Sequence, residues 1–219
     1  MKTIHIVCIL CLVLVSCTNM KLQDAPYIPN EELAESYENF NDSFKKTRSS
    51  LSYIGGHIAT DCQTYFDLTS MYEIDETIHN QSVKSEYLIC DALNILSSST
   101  GVPRENVNIS SMGEALLIKL DLRSFSSSLY RASDENSHTL KSLYPQNTSS
   151  VGNIAELNAE DWTFTLEVVA VAKINDNSSP DWVIWVLDES KSGNYRGYST
   201  LIIYDPERHE SFKAIAYPK

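Results

Sequence analysis

The apolar residues of this chain change their spacing about halfway along it. Up to Leu96 they recur every three or four residues, and from Ala115 onward they alternate, so a helical half must be joined to a sheet. Asn30 stands where a helix cap belongs, and Glu31 and Glu32 follow in the first turn, where the helix dipole favours carboxylates. Leu33, Tyr37, Phe40 and Phe44 repeat at helical spacing, and Gly55-Gly56 is expected to end that helix. A second helix is expected over residues 62–72. A third is expected over 82–96, where Val83, Tyr87, Cys90 and Asn94 share a face beside Leu93.

In the second half, Leu116, Ile118, Leu120 and Leu122 alternate with Leu117, Lys119, Asp121 and Arg123, the period of a half-buried strand. Residues 134–143 suit a short helix before Pro145, and 146–152 read as a Ser/Asn loop and the one candidate internal boundary. Strands are expected at 162–174, 182–187, 198–204 and 211–217, joined by turn residues at 175–180, 189–193 and 205–206. An antiparallel meander fits them best. The fold class expected is therefore α+β, a helical N-terminal half followed by a mainly antiparallel β-sheet. Trp182 and Trp185 are an odd number of positions apart and should face opposite sides of their strand, one in the core and one exposed.

The N-terminus adds a compartment. One positive charge at Lys2 precedes an apolar run over 4–15 that is too short to span a bilayer, the pattern of an export signal. The run closes with Leu14, Val15, Ser16 and Cys17, which resemble the lipobox of bacterial lipoproteins. That resemblance implies a signal peptide over 1–16, lipid on Cys17 and a lipidated tether over 17–29 that carries Pro26 and Pro29. A single α+β domain over 30–219 follows. Thr18, in place of the Asp that favours inner-membrane retention in that family, implies the outer membrane. An ordinary signal peptide cut elsewhere is the alternative.

Seventeen basic residues against 29 acidic ones leave a formal net charge of −12, and loss of Lys2 with the leader makes it more negative still. Such a surface repels nucleic acid. Cys8 and Cys11 leave with the leader and Cys17 takes lipid, so Cys62 and Cys90 remain. An even pair in an oxidising compartment reads as a disulfide, with two buried free thiols as the alternative. Closing that loop would stabilise the fold by about 3.6 kcal/mol on the chain-entropy model.

Few residues point to chemistry. The segment KINDNSSPDW, residues 173–182, resembles the calcium loops of FG-GAP-like extracellular proteins, in which alternating oxygen ligands wrap a hard cation. Here Lys173 replaces the first carboxylate and Ser178 the turn glycine, leaving Asn175, Asn177 and Asp181 as the eroded ligand set, so no metal is expected. The stretch from Cys90 to Ser126 is similar to a module of large periplasmic haem-associated proteins, which implies a helix followed by a strand. CxxCH is absent, so haem is not implied and no cofactor is expected. Tyr195, Arg196 and Tyr198 lie close together beside a strand, the composition of a partner patch. His57 and Asp61 stand one helical turn apart, but no GxSxG or HExxH accompanies them. The expected function is that of a lipid-anchored, non-enzymatic envelope protein with an envelope protein partner. A ligand-binding or calcium-assisted adhesion module is the alternative, and an envelope hydrolase would need His57 or His209 beside a nucleophile.

Overall fold

The computed structural model describes residues 25–175 and 177–218, so the expected leader, the lipobox and Cys17 lie outside the described residues. Helix α1 (Glu31–Glu38) begins as its sequence dictates, with the Asn30 side chain accepting from the Leu33 amide at 2.9 Å. It gives way at Asn39 to α2 (Phe40–Lys45) and does not reach the glycine pair. The chain instead forms a hairpin, β1 (Leu51–Tyr53) against β2 (His57–Ala59). Gly55 and Gly56 are its turn, with φ of 97° and 83°, values that favour glycine. The expected helix is thus shorter: Leu51 and Tyr53 alternate with serines and bury one strand face, and the two glycines close a hairpin.

Helix α3 (Cys62–Thr69) follows, capped by Asp61, whose carboxylate accepts from the Thr64 amide at 2.7 Å. The third helical stretch is α4 (Ile78–Val83), a tighter turn over Lys84–Tyr87, and α5 (Leu88–Ser97). Cys62 and Cys90 are bonded, with Cα atoms 5.2 Å apart, and join α3 to α5. Around that bond Leu51, Tyr53, Tyr65 and Tyr87 form a small core of their own.

The strand expected over 116–122 is a helix, α6 (Met112–Lys119). Met112, Leu116, Leu117 and Leu120 are buried, which is one helical face, while Ile118 is 45 % exposed where an alternating strand would have buried it. The helix-then-strand module implied by the haem-associated proteins is consequently not formed. Of the short helix expected over 134–143, only α7 (Leu140–Leu143) is helical.

The C-terminal half is one antiparallel sheet. The expected strands appear as β5 (Trp162–Ala172), β6 (Asp181–Ser190), β7 (Arg196–Ile203) and β8 (Ala214–Tyr217). Two more precede them, β3 (Thr148–Val151), where 146–152 read as loop, and β4 (Ile154–Asn158), for which no element was expected. The six strands pair in chain order, a meander.

Both faces of this sheet are covered. Leu116 of α6 and Leu120 just after it pack with Phe164, Leu166, Ile184 and Leu201 on one side. Leu33 of α1 and Leu93 of α5 pack with Val183, Trp185 and Ile202 on the other. A bulge between Val168 and Ala170 inverts the alternation of β5, so Val168 and Val171 face the first core and Val169, Ala170 and Ala172 the second. Trp182 and Trp185 do lie on opposite faces, yet both are buried, because neither face meets solvent. Among the described residues no helix is long and apolar enough to cross a membrane.

Candidate functional site

The eroded calcium loop is held by its own hydrogen bonds. Asp181 opens β6 fully buried, and its carboxylate accepts the amides of Ile174 at 2.8 Å, Asn175 at 3.3 Å and Asp205 at 3.0 Å. The Asn177 amide donates to both carboxylate oxygens of Asp205, at 3.0 and 2.9 Å. Its own oxygen accepts from the Ser179 amide, and the Asn175 side chain accepts from the Asn177 amide. Asn175, Asn177 and Asp181 are therefore brought together as a clasp that ties the β5–β6 turn to the end of β7, with their oxygens engaged by N–H donors. Among the described residues no group of three or more His, Cys, Asp or Glu side chains is placed to hold a metal ion.

The histidines are dispersed. His57 stacks on Tyr72 at 4.0 Å between centroids, and Asp61 is committed to capping α3. The Nε2 of His79 lies 2.9 Å from the Ser50 carbonyl, and His209 is exposed.

A different set of residues forms a cleft of about 450 Å³. Its walls are the stretch that leads into α4, the loop at Phe125–Ser127 and the first half of β7. This half of β7 is open to the cleft because β8 pairs only with Thr200–Ile203. Asp188 is buried at the base, in β6. It accepts from Ser128 Oγ and Trp162 Nε1 at 2.7 Å each on one oxygen. On the other it accepts from the Ser128 amide at 2.7 Å and the Tyr195 hydroxyl at 3.3 Å.

This network holds Tyr195 in place. Its ring packs 5.3 Å from that of Trp162, and its hydroxyl crosses Gly197, where a Cβ would stand 2.9 Å from the phenol oxygen. Burial, with the Asp188 carboxylate beside it, pushes the Tyr195 phenol up to about 12. Burial and a hydrogen bond to Glu189 raise Tyr198 strongly as well, so both phenols remain donors at any ordinary pH. Arg196, 32 % exposed, spends its Nη1 on the Ser190 and Tyr195 carbonyls, at 2.6 and 2.7 Å, and clamps the β6–β7 turn.

Of the residues singled out in the sequence, Tyr195, Arg196 and Tyr198 line this cleft, whereas Trp182 and Trp185 belong to the cores. Asp188, Trp162 and Ser128 carry no local signal of their role, since they meet only through strand register and a long loop. The arrangement can present a fixed aromatic wall and an open strand edge, and its Ser128, Tyr195 and Tyr198 hydroxyls donate to carboxylates. No protein-family model, no curated protein and no solved structure matches this chain.

Proposed function

We propose that the chain is a lipid-anchored envelope protein of the outer membrane, held through Cys17, whose cleft receives an envelope protein partner without enzymatic turnover. One observation carries this reading: the chain enters the fold at one end of the sheet and the cleft lies at the other. Tyr27 pairs with Val171, N to O, at 2.9 and 2.8 Å in the two directions, and Val171 sits opposite Trp182 at the start of β6. Asp188 lies farther along β6, about 20 Å away at a strand's rise per residue. The segment from Cys17 to Tyr27, fully extended, reaches at most about 35 Å. A lipid on Cys17 therefore tethers the fold through the end of the sheet remote from Asp188, on a leash long enough to let the cleft meet a partner. The cleft's acid and phenols are bonded to one another, which supports a binding surface over a reactive one.

Two measurements on the native host test the reading. Intact mass of the membrane-extracted protein should show a lipid-sized increment that Cys17→Ala abolishes together with outer-membrane fractionation. A photocrosslinker at Gln81, in the cleft wall, should capture a protein partner, and one at Glu207, near the chain entry, should not. A wild-type chain without lipid sinks the anchor; capture from Glu207 alone sinks the cleft.

A further inference from the structure

The half of β7 that faces the cleft is a sheet edge. Backbone bonding between β6 and β7 can be counted from the Ser190 amide, which donates to the Tyr195 carbonyl at 3.1 Å. Because bonded and non-bonded pairs alternate in an antiparallel ladder, Gly197 and Ser199 bond back to β6, while Arg196 and Tyr198 turn their N–H and C=O outward. The same count makes Thr200 and Ile202 the outward residues that β8 takes up. Among the described residues no backbone hydrogen bond reaches the outward groups of Arg196 or Tyr198. Open edges are ordinarily blunted or covered, and this one is instead flanked by two walls. On one side stand Ile74, Asp75 and Glu76, on the other Phe125, Ser126 and Ser127, and the Ser127 oxygen is buried with no hydrogen-bond partner. Gly197 lies inside the open stretch, where the missing side chain leaves room for the Tyr195 hydroxyl.

The geometry points to strand addition: an extended segment of a partner protein pairs with Arg196–Ser199 in line with β8 and becomes a further stretch of the sheet edge. This rests on the binding role proposed above and names its partner class. Main-chain bonds to Tyr198 supply the attachment, and alternate side chains of the incoming strand meet the two walls. The wall at Phe125 takes an apolar side chain. The wall at Asp75 and Glu76 takes a basic one, in a chain whose net charge is −12.

The probe is the synthetic peptide acetyl-Val-Lys-Val-Lys-Val-amide, titrated into the detergent-solubilised full chain while amide hydrogen exchange is followed. The expected result is slowed exchange at the Tyr198 amide, with no binding of a peptide in which proline replaces each valine, since proline cannot donate to the ladder. Replacing both surface carboxylates, Asp75→Lys with Glu76→Lys, should weaken the Val-Lys peptide by about tenfold or more without changing the melting temperature. Gly197→Val, which puts side-chain atoms at the phenol, should abolish binding. Unchanged exchange at Tyr198 with the peptide bound, or equal binding of the proline peptide, overturns strand addition. A lipidated chain that crosslinks a partner through Gln81 yet leaves Tyr198 exchange unchanged overturns this mode while the binding role stands.

Discussion

Asp188, within the sheet on β6, and Asp91, on the helix α5 that packs against it, are both buried, and their surroundings could hardly differ more. Asp188 receives four donors, from Ser128 twice, Trp162 and Tyr195, and through them it positions the cleft. Asp91, on α5, has an oxygen with no hydrogen-bond partner, and across from it Thr200 Oγ1 and Trp185 Nε1, neighbours on β7 and β6, are buried without partners too. Burial pushes the Asp91 carboxyl up to about 7, and the nearby Thr200 and Tyr65 hydroxyls and the Lys84 charge only partly oppose it. Asp181 makes a third case and behaves like the first, with three backbone amides on its carboxylate. What separates the cases is the number of donors delivered, since a buried carboxylate without them is a penalty that protonation relieves.

The largest effect expected from this contrast is on pH dependence. A folded carboxyl raised from 3.8 to about 7 holds its proton where the unfolded chain has lost it. The stability it confers is therefore complete below about pH 4 and is lost as the pH rises through 7, by up to about 4 kcal/mol. Urea midpoints at pH 4.5 and 7.5 should differ in the wild type by more than in Asp91→Asn, whose amide cannot ionise. The difference between the two proteins removes the opposite contributions of Glu86 and Asp121, both lowered in the fold. Equal slopes would mean that Asp91 is better served with donors than its surroundings indicate.

Next in size is Asp188→Ala. It strands the Trp162 indole N–H and the Ser128 amide in a buried site, and a loss of about 3 kcal/mol is expected in chemical unfolding. Trp162 emission should shift as the Tyr195 wall loosens; a loss below about 1 kcal/mol would show that the network is ornamental to stability. Smaller still is Thr200→Val at pH 4.5, where Asp91 is protonated: it replaces a buried hydroxyl without a hydrogen-bond partner by a methyl group. It should be neutral or stabilising by about 1 kcal/mol, whereas a clear destabilisation would reveal a bond at that hydroxyl. The smallest expected effect is that of calcium. Because the Asp181 oxygens already accept three amides, millimolar calcium or chelator should leave the melting temperature unchanged, and a rise with calcium would reopen the loop as a metal site.

Much of the scaffold was legible from local pattern, and the failures have identifiable causes. The Asn30 cap, the acidic first turn and strands β5 to β8 were each encoded within a few residues. The alternation over 116–122 was ambiguous because four leucines in seven residues satisfy either period, and the burial of Leu117 with the exposure of Ile118 separates them. The expectation that one of Trp182 and Trp185 is exposed failed because it assumed one wet face, and α1 with α5 covers the second. Of the cleft, Tyr195, Arg196 and Tyr198 stood out as a cluster, but Asp188 looked like any strand-end acid. Trp162 reaches Asp188 from a position 26 residues away, through the β5–β6 register, for which no local signal exists.

The amino-acid sequence alone determined the α+β order, the Asn30 cap and the turns that separate β5 to β8, because these depend on neighbours within a turn or two. Only the tertiary structure decided which buried aspartate would receive donors, where the Val168–Ala170 bulge would invert a strand's faces, and that the stretch before α4 and the Phe125–Ser127 loop would line a cleft with Arg196 and Tyr198. Those outcomes depend on register and layer packing, where free energy is set by groups that meet in space from distant parts of the chain.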